Sequence, residues 1–319
     1  MKISQRMKRK AIQIAAFGLN NCHVGNFFAK GGAKLYTGPW KQFCAPGLNC
    51  YSCPAASLSC PIGALQSVTG SMKLDFSFYV VGFLLAVGVL LGRLVCGFLC
   101  PFGLIQELLA MIPLPKKKLR LPRFAKYIKY VVLAVFVIIM PVAVTNVVGM
   151  GDPAFCQYIC PAGTLEGGIP LVSTHPELQK TVGWLFGWKM LLLAGILVGS
   201  ILVFRFFCKT LCPLGAIYGI LNKVSFYRLE VDESKCIHCG RCAQICGMDV
   251  DPVQHPQSME CIRCGECAKA CPTGAIRLGF GFFAKKDNNT AGTAAPAAEK
   301  TAACTGNCSA CKSCAHKQA

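Results

Sequence analysis

The 319-residue chain carries 33 Lys and Arg against 14 Asp and Glu, a formal net charge of +19, yet only 15% of its residues are charged and 54% are hydrophobic. With a mean hydropathy of +0.48, this composition excludes an ordinary soluble domain or a polar disordered chain and points to a membrane protein. The basic excess fits positive-inside membrane topology better than nucleic-acid binding, so membrane lipid is an expected partner and nucleic acid is not.

The 23 cysteines fall in C-x2-C and C-x3-C spacings beside long apolar runs, which favours metal sites over an extracellular disulfide scaffold. Residues 1–28 form a basic N-terminus and a weak first membrane anchor: the apolar run is broken by Asn20, Asn21, Cys22 and His23 without a small-residue cleavage pattern. Three stronger spans are predicted at Phe76 to Val95, Tyr130 to Met150 and Trp184 to Phe207, each long enough for a hydrocarbon core of about 30 Å. Pro141 is expected to kink the second. Trp184, Trp188 and Lys189 suit an interfacial belt with a snorkelling lysine at the start of the third.

Residues 1–10 and 93–129 carry five and eight Lys or Arg, whereas 29–75 carry four and 151–183 carry only Lys180. That asymmetry puts the N-terminus and the KKKLRLPR loop in the cytoplasm. The expected organisation is an extracytoplasmic Cys-rich segment at 29–75, a membrane domain at 76–225, a cytoplasmic ferredoxin domain at 226–283, and a flexible linker with a Cys-rich tail at 284–319. The fold class is a mostly α membrane protein of about four transmembrane helices with an internal duplication, followed by an α+β ferredoxin domain.

The duplication is visible in the cysteines. Arg93, Cys96, Leu99, Cys100, Pro101, Gly103, Ile105 and Leu109 match Arg205, Cys208, Leu211, Cys212, Pro213, Gly215, Ile217 and Leu221 at an offset of 112. Cys60, Pro61, Gly63 and Leu65 match Cys160, Pro161, Gly163 and Leu165 at an offset of 100.

The strongest motif is a pair of C-x2-C-x2-C-x3-C runs, Cys236, Cys239, Cys242, Cys246 and Cys261, Cys264, Cys267, Cys271, the second closed by Pro272. In the bacterial two-cluster arrangement the fourth cysteine of each run crosses to the other cluster. Two [4Fe-4S] clusters are expected, one on Cys236, Cys239, Cys242 and Cys271 and the other on Cys261, Cys264, Cys267 and Cys246. Gly240 and Gly265 allow the tight path between ligands.

These spans, the C-x3-C-P motifs at Cys96 to Pro101 and Cys208 to Pro213, and the C-terminal ferredoxin runs resemble one family. It is that of the membrane-bound 4Fe-4S proteins typified by the NapH quinol-dehydrogenase subunit of periplasmic nitrate reduction and the NosR-type regulators. The resemblance implies electron transfer between a membrane quinone pool or cytoplasmic donor and a redox partner outside.

Beyond the ferredoxin runs the cysteines leave alternatives open. Cys96, Cys100, Cys208 and Cys212 could gather at the ends of two related spans as a further cluster, form disulfides, or pack as free thiols. Cys44, Cys50, Cys53 and Cys60 suit a third cluster, with two disulfides as the competing reading. Cys156 and Cys160 could complete that site, replace some of its ligands, or pair with each other. Cys304, Cys308, Cys311 and Cys314 form either an exposed metal site or a thiol reservoir. The total is two [4Fe-4S] clusters with one or two more iron–sulfur clusters and a quinone open to the chain.

No acid–base pair, nucleophile motif or phosphate loop is present, so an electron-transfer subunit is expected rather than a stand-alone catalyst. It would sit in the cell membrane as a multi-pass protein and meet redox proteins on one or both sides. The alternative is a redox sensor or a metalloprotein maturation factor, motivated by the extra cysteines.

Overall fold

The computed structural model describes residues 5–29, 32–71, 78–112, 121–145 and 151–281, all within the compact unit Met1–Phe283. The tail cysteines Cys304, Cys308, Cys311 and Cys314, the linker before them and much of the basic loop, residues 113–120, lie outside the described residues.

The described chain is mostly helical. Helix α1 (Gln5–Asn20) leads into an irregular Cys-rich loop, after which α2 (Pro61–Gly70) and α3 (Phe78–Leu91) precede the first C-x3-C-P. That motif is built as a short helix α4 (Leu94–Phe98), a break, and α5 (Pro101–Leu109). The second half follows with α6 (Phe124–Ala143), α7 (Ala154–Tyr158), α8 over residues 161–174, α9 (Pro176–Lys180) and α10 (Trp184–Leu202). It closes on α11 (Phe206–Thr210) and α12 (Pro213–Leu221), which repeat the α4–α5 break. In both copies the second cysteine is the N-cap and the proline takes the first helical turn, where its missing N–H costs nothing.

Among the described residues, α6 and α10 are the two helices long and apolar enough to cross a membrane, and α3 is a shorter apolar helix. The expected spans are trimmed by local backbone geometry. Gly92 turns the chain after α3 with φ 58°, and Arg205 does so after α10 with φ 53°. Helix α6 starts earlier than expected and widens into π-type turns over Leu133–Ile139, just before Pro141, whose lacking N–H cannot continue the regular ladder. Large apolar side chains such as Trp184, Leu191 and Val198 on α10 and Val131 and Ile139 on α6 point away from the protein.

The last part is α+β. Strands β1 (Tyr227–Val231) and β2 (Ile276–Phe280) pair antiparallel, from Tyr227 opposite Phe280 to Val231 opposite Ile276. Alternation along the strands turns Leu229 and Ile276 toward α13 (Arg241–Ile245) and α14 (Glu266–Ala270), where they form a small core with Cys242 and Cys267. A larger core holds Cys44, Cys60, Cys96, Cys100, Cys160 and Cys212 together with Met248 and Ile262, so the ferredoxin segment packs directly on the helical body.

Candidate metal centres

The two ferredoxin runs have the same backbone path. In each, the residue before the second cysteine, His238 or Arg263, and the glycine after it, Gly240 or Gly265, have positive φ between 51° and 79°. Such turns curl successive N–H groups into an anion-binding concavity. One cavity is lined by Cys236, Cys239, Cys242 and Cys271. Another, of about 310 Å³, is lined by Cys246, Cys261, Cys264 and Cys267 with Arg9. The fourth cysteine of each run therefore stands with the first three of the other. The sets differ in setting: Cys239 is exposed, and the Thr273 hydroxyl beside Cys271 holds that thiol below its usual range. Burial pushes Cys261 up to about 11 and Cys267 up to about 12. A cationic metal would be needed to hold such buried sulfurs as thiolates.

The inner pairs are built by exchange between the repeats. Arg93 Nη2 donates to Cys208 O at 3.3 Å, and Arg205 Nη1 donates to Cys96 O. Gly103 and Gly215 leave room for this, since a β-carbon there would fall 3.3 Å from Arg205 Nη2 and 3.4 Å from Arg93 Nη2. Both arginines are fully buried, so they back the cysteine sets rather than sit at a membrane surface. Each has a carboxylate: Arg205 pairs with Glu107 at 2.6 Å and Arg93 with Glu260 at 2.8 Å. Gln106 Nε2 lies 3.1 Å from Cys208 Sγ, and Gly215 N donates to Cys212 Sγ at 3.3 Å. Cys96, Cys100, Cys208 and Cys212 feel one another electrostatically, each neighbour raising the Cys212 thiol that burial has already pushed well up.

The Cys-rich loop is divided rather than gathered. Cys50 and Cys60 line a cavity of about 740 Å³ together with Cys156 and Cys160. Cys44 and Cys53 do not line it. Cys44 is tied by a backbone bridge to Ser59, and the Cys53 thiol points to Asn21 Oδ1 at 3.8 Å. The expected grouping of Cys44, Cys50, Cys53 and Cys60 is thus divided: Cys50 and Cys60 face the cavity with Cys156 and Cys160, and Cys44 and Cys53 do not line it. Cys22 is exposed, while His23 stacks on Tyr36 with ring centroids 3.8 Å apart and bonds Ser57 at 2.9 Å. Lys189, half-buried, donates to Cys156 O at 3.2 Å.

The sets abut in series. A β-carbon on Gly97, next to Cys96, would fall 2.8 Å from Ile262 O, between the ferredoxin cysteines Cys261 and Cys264. A β-carbon on Gly47 would fall 2.6 Å from Cys100 Cα. Tyr218, buried beside the inner set, donates to Pro46 O at 3.0 Å. Among the described residues no three His, Cys, Asp or Glu side chains converge tightly enough for a single metal ion.

Residues 229–250 and 258–277 match the 4Fe-4S binding domain family. Residues 76–122, 133–169 and 183–228, which carry the C-x3-C-P repeats, match a second family of that description. The chain belongs to the NapH/NosR-type 4Fe-4S family. It is similar to an uncharacterized protein of Methanocaldococcus jannaschii, 29% identical over 53% of this chain and 57% of the relative. It also resembles the methylamine utilization ferredoxin-type protein MauN of Methylorubrum extorquens, 29% identical over 59% of this chain and 60% of the relative. Likeness to the ferredoxin-type protein NapH of Haemophilus influenzae is 27% over 50% of this chain and 48% of the relative. The chain thus spans about half to three-fifths of the length of these relatives. No solved structure matches it. Its matches make it an iron–sulfur protein with ferredoxin-type 4Fe-4S binding domains.

Sequence reasoning did not single out Gln66, Gln106, Glu107, Glu166 or Glu260. Gln66 and Gln106 were open to detection, since both stand six residues after a Cys-Pro cysteine. Glu166 stands at the same offset from Cys160, whereas Glu107 and Glu260 answer partners distant in sequence and leave no local pattern.

Proposed function

We propose that the chain is a multi-pass membrane electron carrier that passes electrons between a cytoplasmic donor or the quinone pool and a redox partner on the outer face. The observation that carries this reading is the serial contact of the cysteine sets, through Ile262 on Gly97 and Gly47 on Cys100. A [4Fe-4S] cluster held by Cys236, Cys239, Cys242 and Cys271, by Cys246, Cys261, Cys264 and Cys267, or by Cys96, Cys100, Cys208 and Cys212 would supply one-electron redox chemistry at each. The chain's own part is to supply the sulfurs, fix their spacing and keep all but Cys239 buried or half-buried.

Helix α1 supports a fourth span and the proposed sidedness. Its first turns meet the ferredoxin segment, through Arg6 and Glu266 at 3.9 Å, and its last residue accepts from Ser57 N at 2.9 Å. At the usual rise the contacts at Arg6 and Asn20 stand about 21 Å apart, about two-thirds of a bilayer core. The excess of Lys and Arg in residues 1–10 and 93–129 over 29–75 and 151–183 is in keeping with a cytoplasmic face at the ferredoxin end. The proposed organisation keeps the extracytoplasmic segment at 29–75, the membrane domain at 76–225 and the ferredoxin domain at 226–283.

The test is sustained turnover of the whole chain, purified without oxygen and given a low-potential donor and a soluble acceptor. Continuous acceptor reduction is expected. A single stoichiometric oxidation with no turnover would instead identify a redox sensor.

A further inference from the structure

Four segments share one pattern, C-P-x-G-x-[L/I] with a functional seventh residue: Cys60 to Gln66, Cys100 to Gln106, Cys160 to Glu166 and Cys212 to Tyr218. In the structure they pair as 60 with 160 and 100 with 212, and the two pairs share detailed chemistry. Gln106 Nε2 lies 3.1 Å from Cys208 Sγ while its Oε1 accepts from Phe207 N at 3.1 Å. Gln66 Nε2 lies 3.1 Å from Cys156 Sγ while its Oε1 accepts from Phe155 N at 2.8 Å. Gly215 N donates to Cys212 Sγ at 3.3 Å, and Gly163 N donates to Cys160 Sγ at 3.3 Å. The carbonyl of each leading C-x3-C cysteine receives a cation: Arg205 at Cys96, Arg93 at Cys208 and Lys189 at Cys156.

One position breaks the correspondence. The residue four before Cys60 is Ala56, where the inner set has Cys96 four before Cys100. Cys50 takes that place from the loop. Its backbone N donates to Glu166 Oε2 at 2.7 Å, and a β-carbon on Gly163 would fall 3.9 Å from Cys50 Sγ and 3.7 Å from Cys160 Sγ. On the other side, a β-carbon on Gly63 would fall 3.9 Å from Cys156 Sγ. The two glycines thus open the 740 Å³ cavity between the four sulfurs, and each thiol is buried or half-buried.

From this equivalence, and resting on the reading of the chain as a 4Fe-4S carrier, we propose that Cys50, Cys60, Cys156 and Cys160 hold a [4Fe-4S] cluster of their own. Cys44 and Cys53 are not ligands. The site is a second copy of the inner one, with a loop cysteine standing in for the missing C-x3-C partner. Gln66 is its positioning residue, holding the Cys156 sulfur as Gln106 holds that of Cys208.

The experiment uses the full chain, reconstituted anaerobically with iron and sulfide, and compares single variants by iron content and EPR after graded reduction. Cys156→Ala and Cys160→Ala should each lose about four irons, one cluster's worth, and keep the signals of the remaining centres. Cys44→Ala and Cys53→Ala should lose none. Full iron in the first pair, or the same loss in the second pair, overturns the assignment. Gln66→Leu leaves every thiol intact, and it should keep its iron while one centre becomes harder to reduce; unchanged potentials at all centres would contradict the site. Full occupancy without electron passage defeats the proposed function and leaves this site standing. Electron passage with no iron lost from Cys156→Ala does the reverse.

Discussion

The Arg93 guanidinium lies 2.8 Å from the Glu260 carboxylate, so a residue of the ferredoxin segment completes the second repeat. The matching arginine of the second repeat, Arg205, pairs with Glu107 on α5 of the first. At the equivalent of Glu107 the second repeat has Gly219, and a β-carbon there would fall 3.0 Å from Met259 O. The acid is absent from α12 because the ferredoxin backbone occupies its place and brings its own.

Removing one member of such a buried pair strands the other, a loss of about 3–5 kcal/mol. Glu260→Ala should therefore loosen the ferredoxin segment from the helical body, since Lys129 also bonds Glu260. Thermal loss of cluster absorbance, and faster amide exchange around residues 258–263, would report it. Glu107→Ala should destabilise the helical body instead, because Glu107 also pairs with Arg9 at 3.0 Å.

Gln106 gives a redox prediction. Hydrogen bonds to cluster sulfurs help set the potential, and one such bond of about 1 kcal/mol corresponds to roughly 40 mV for one electron. Gln106→Leu should shift one centre to a more negative potential by that order with the iron count unchanged. Redox titration followed by EPR checks it.

Gly97 and Gly47 are contact points between successive sets. Alanine at either needs backbone to move, as its β-carbon would meet Ile262 O at 2.8 Å or Cys100 Cα at 2.6 Å, a penalty of about 1–3 kcal/mol. Gly97→Ala should keep all clusters but slow reduction of the inner centre from the ferredoxin side. Stopped-flow absorbance would show a fast phase for the ferredoxin centres and a delayed one for the rest.

Exposure orders the loss of iron. Cys239 is exposed and Cys271 partly so, whereas Cys267 is buried, and Arg263 beside the second set is 2% exposed. Chelator under mild oxidation should remove about four irons, one cluster's worth, before the others, with loss of the signal that Cys239→Ala also removes.

The ferredoxin ligand runs were legible because each is local and dictates its own turns, down to the positive φ of Gly240 and Gly265. The duplication was legible in the paired C-x3-C-P motifs, and Cys-Pro marked the helix starts. The grouping of Cys44, Cys50, Cys53 and Cys60 was not, because a turn-rich loop chooses its contacts from distant helices. The match of Arg93 with Arg205 was legible in the duplication, but not their partners, the carbonyls of the opposite repeat and the Glu260 and Glu107 carboxylates, a choice made only when the chain packs. Span ends were placed too far along because Gly92 and Arg205 turn the chain within apolar sequence.

The most direct measurement of transmembrane electron flow uses sealed vesicles holding the reconstituted full chain, with an impermeant low-potential reductant on the ferredoxin side and an impermeant acceptor trapped on the other. The serial arrangement of the cysteine sets predicts that the trapped acceptor is reduced, and that Cys96→Ala or Cys208→Ala slows this strongly while the ferredoxin centres still reduce. Full reduction of every centre with the trapped acceptor left oxidised would contradict it.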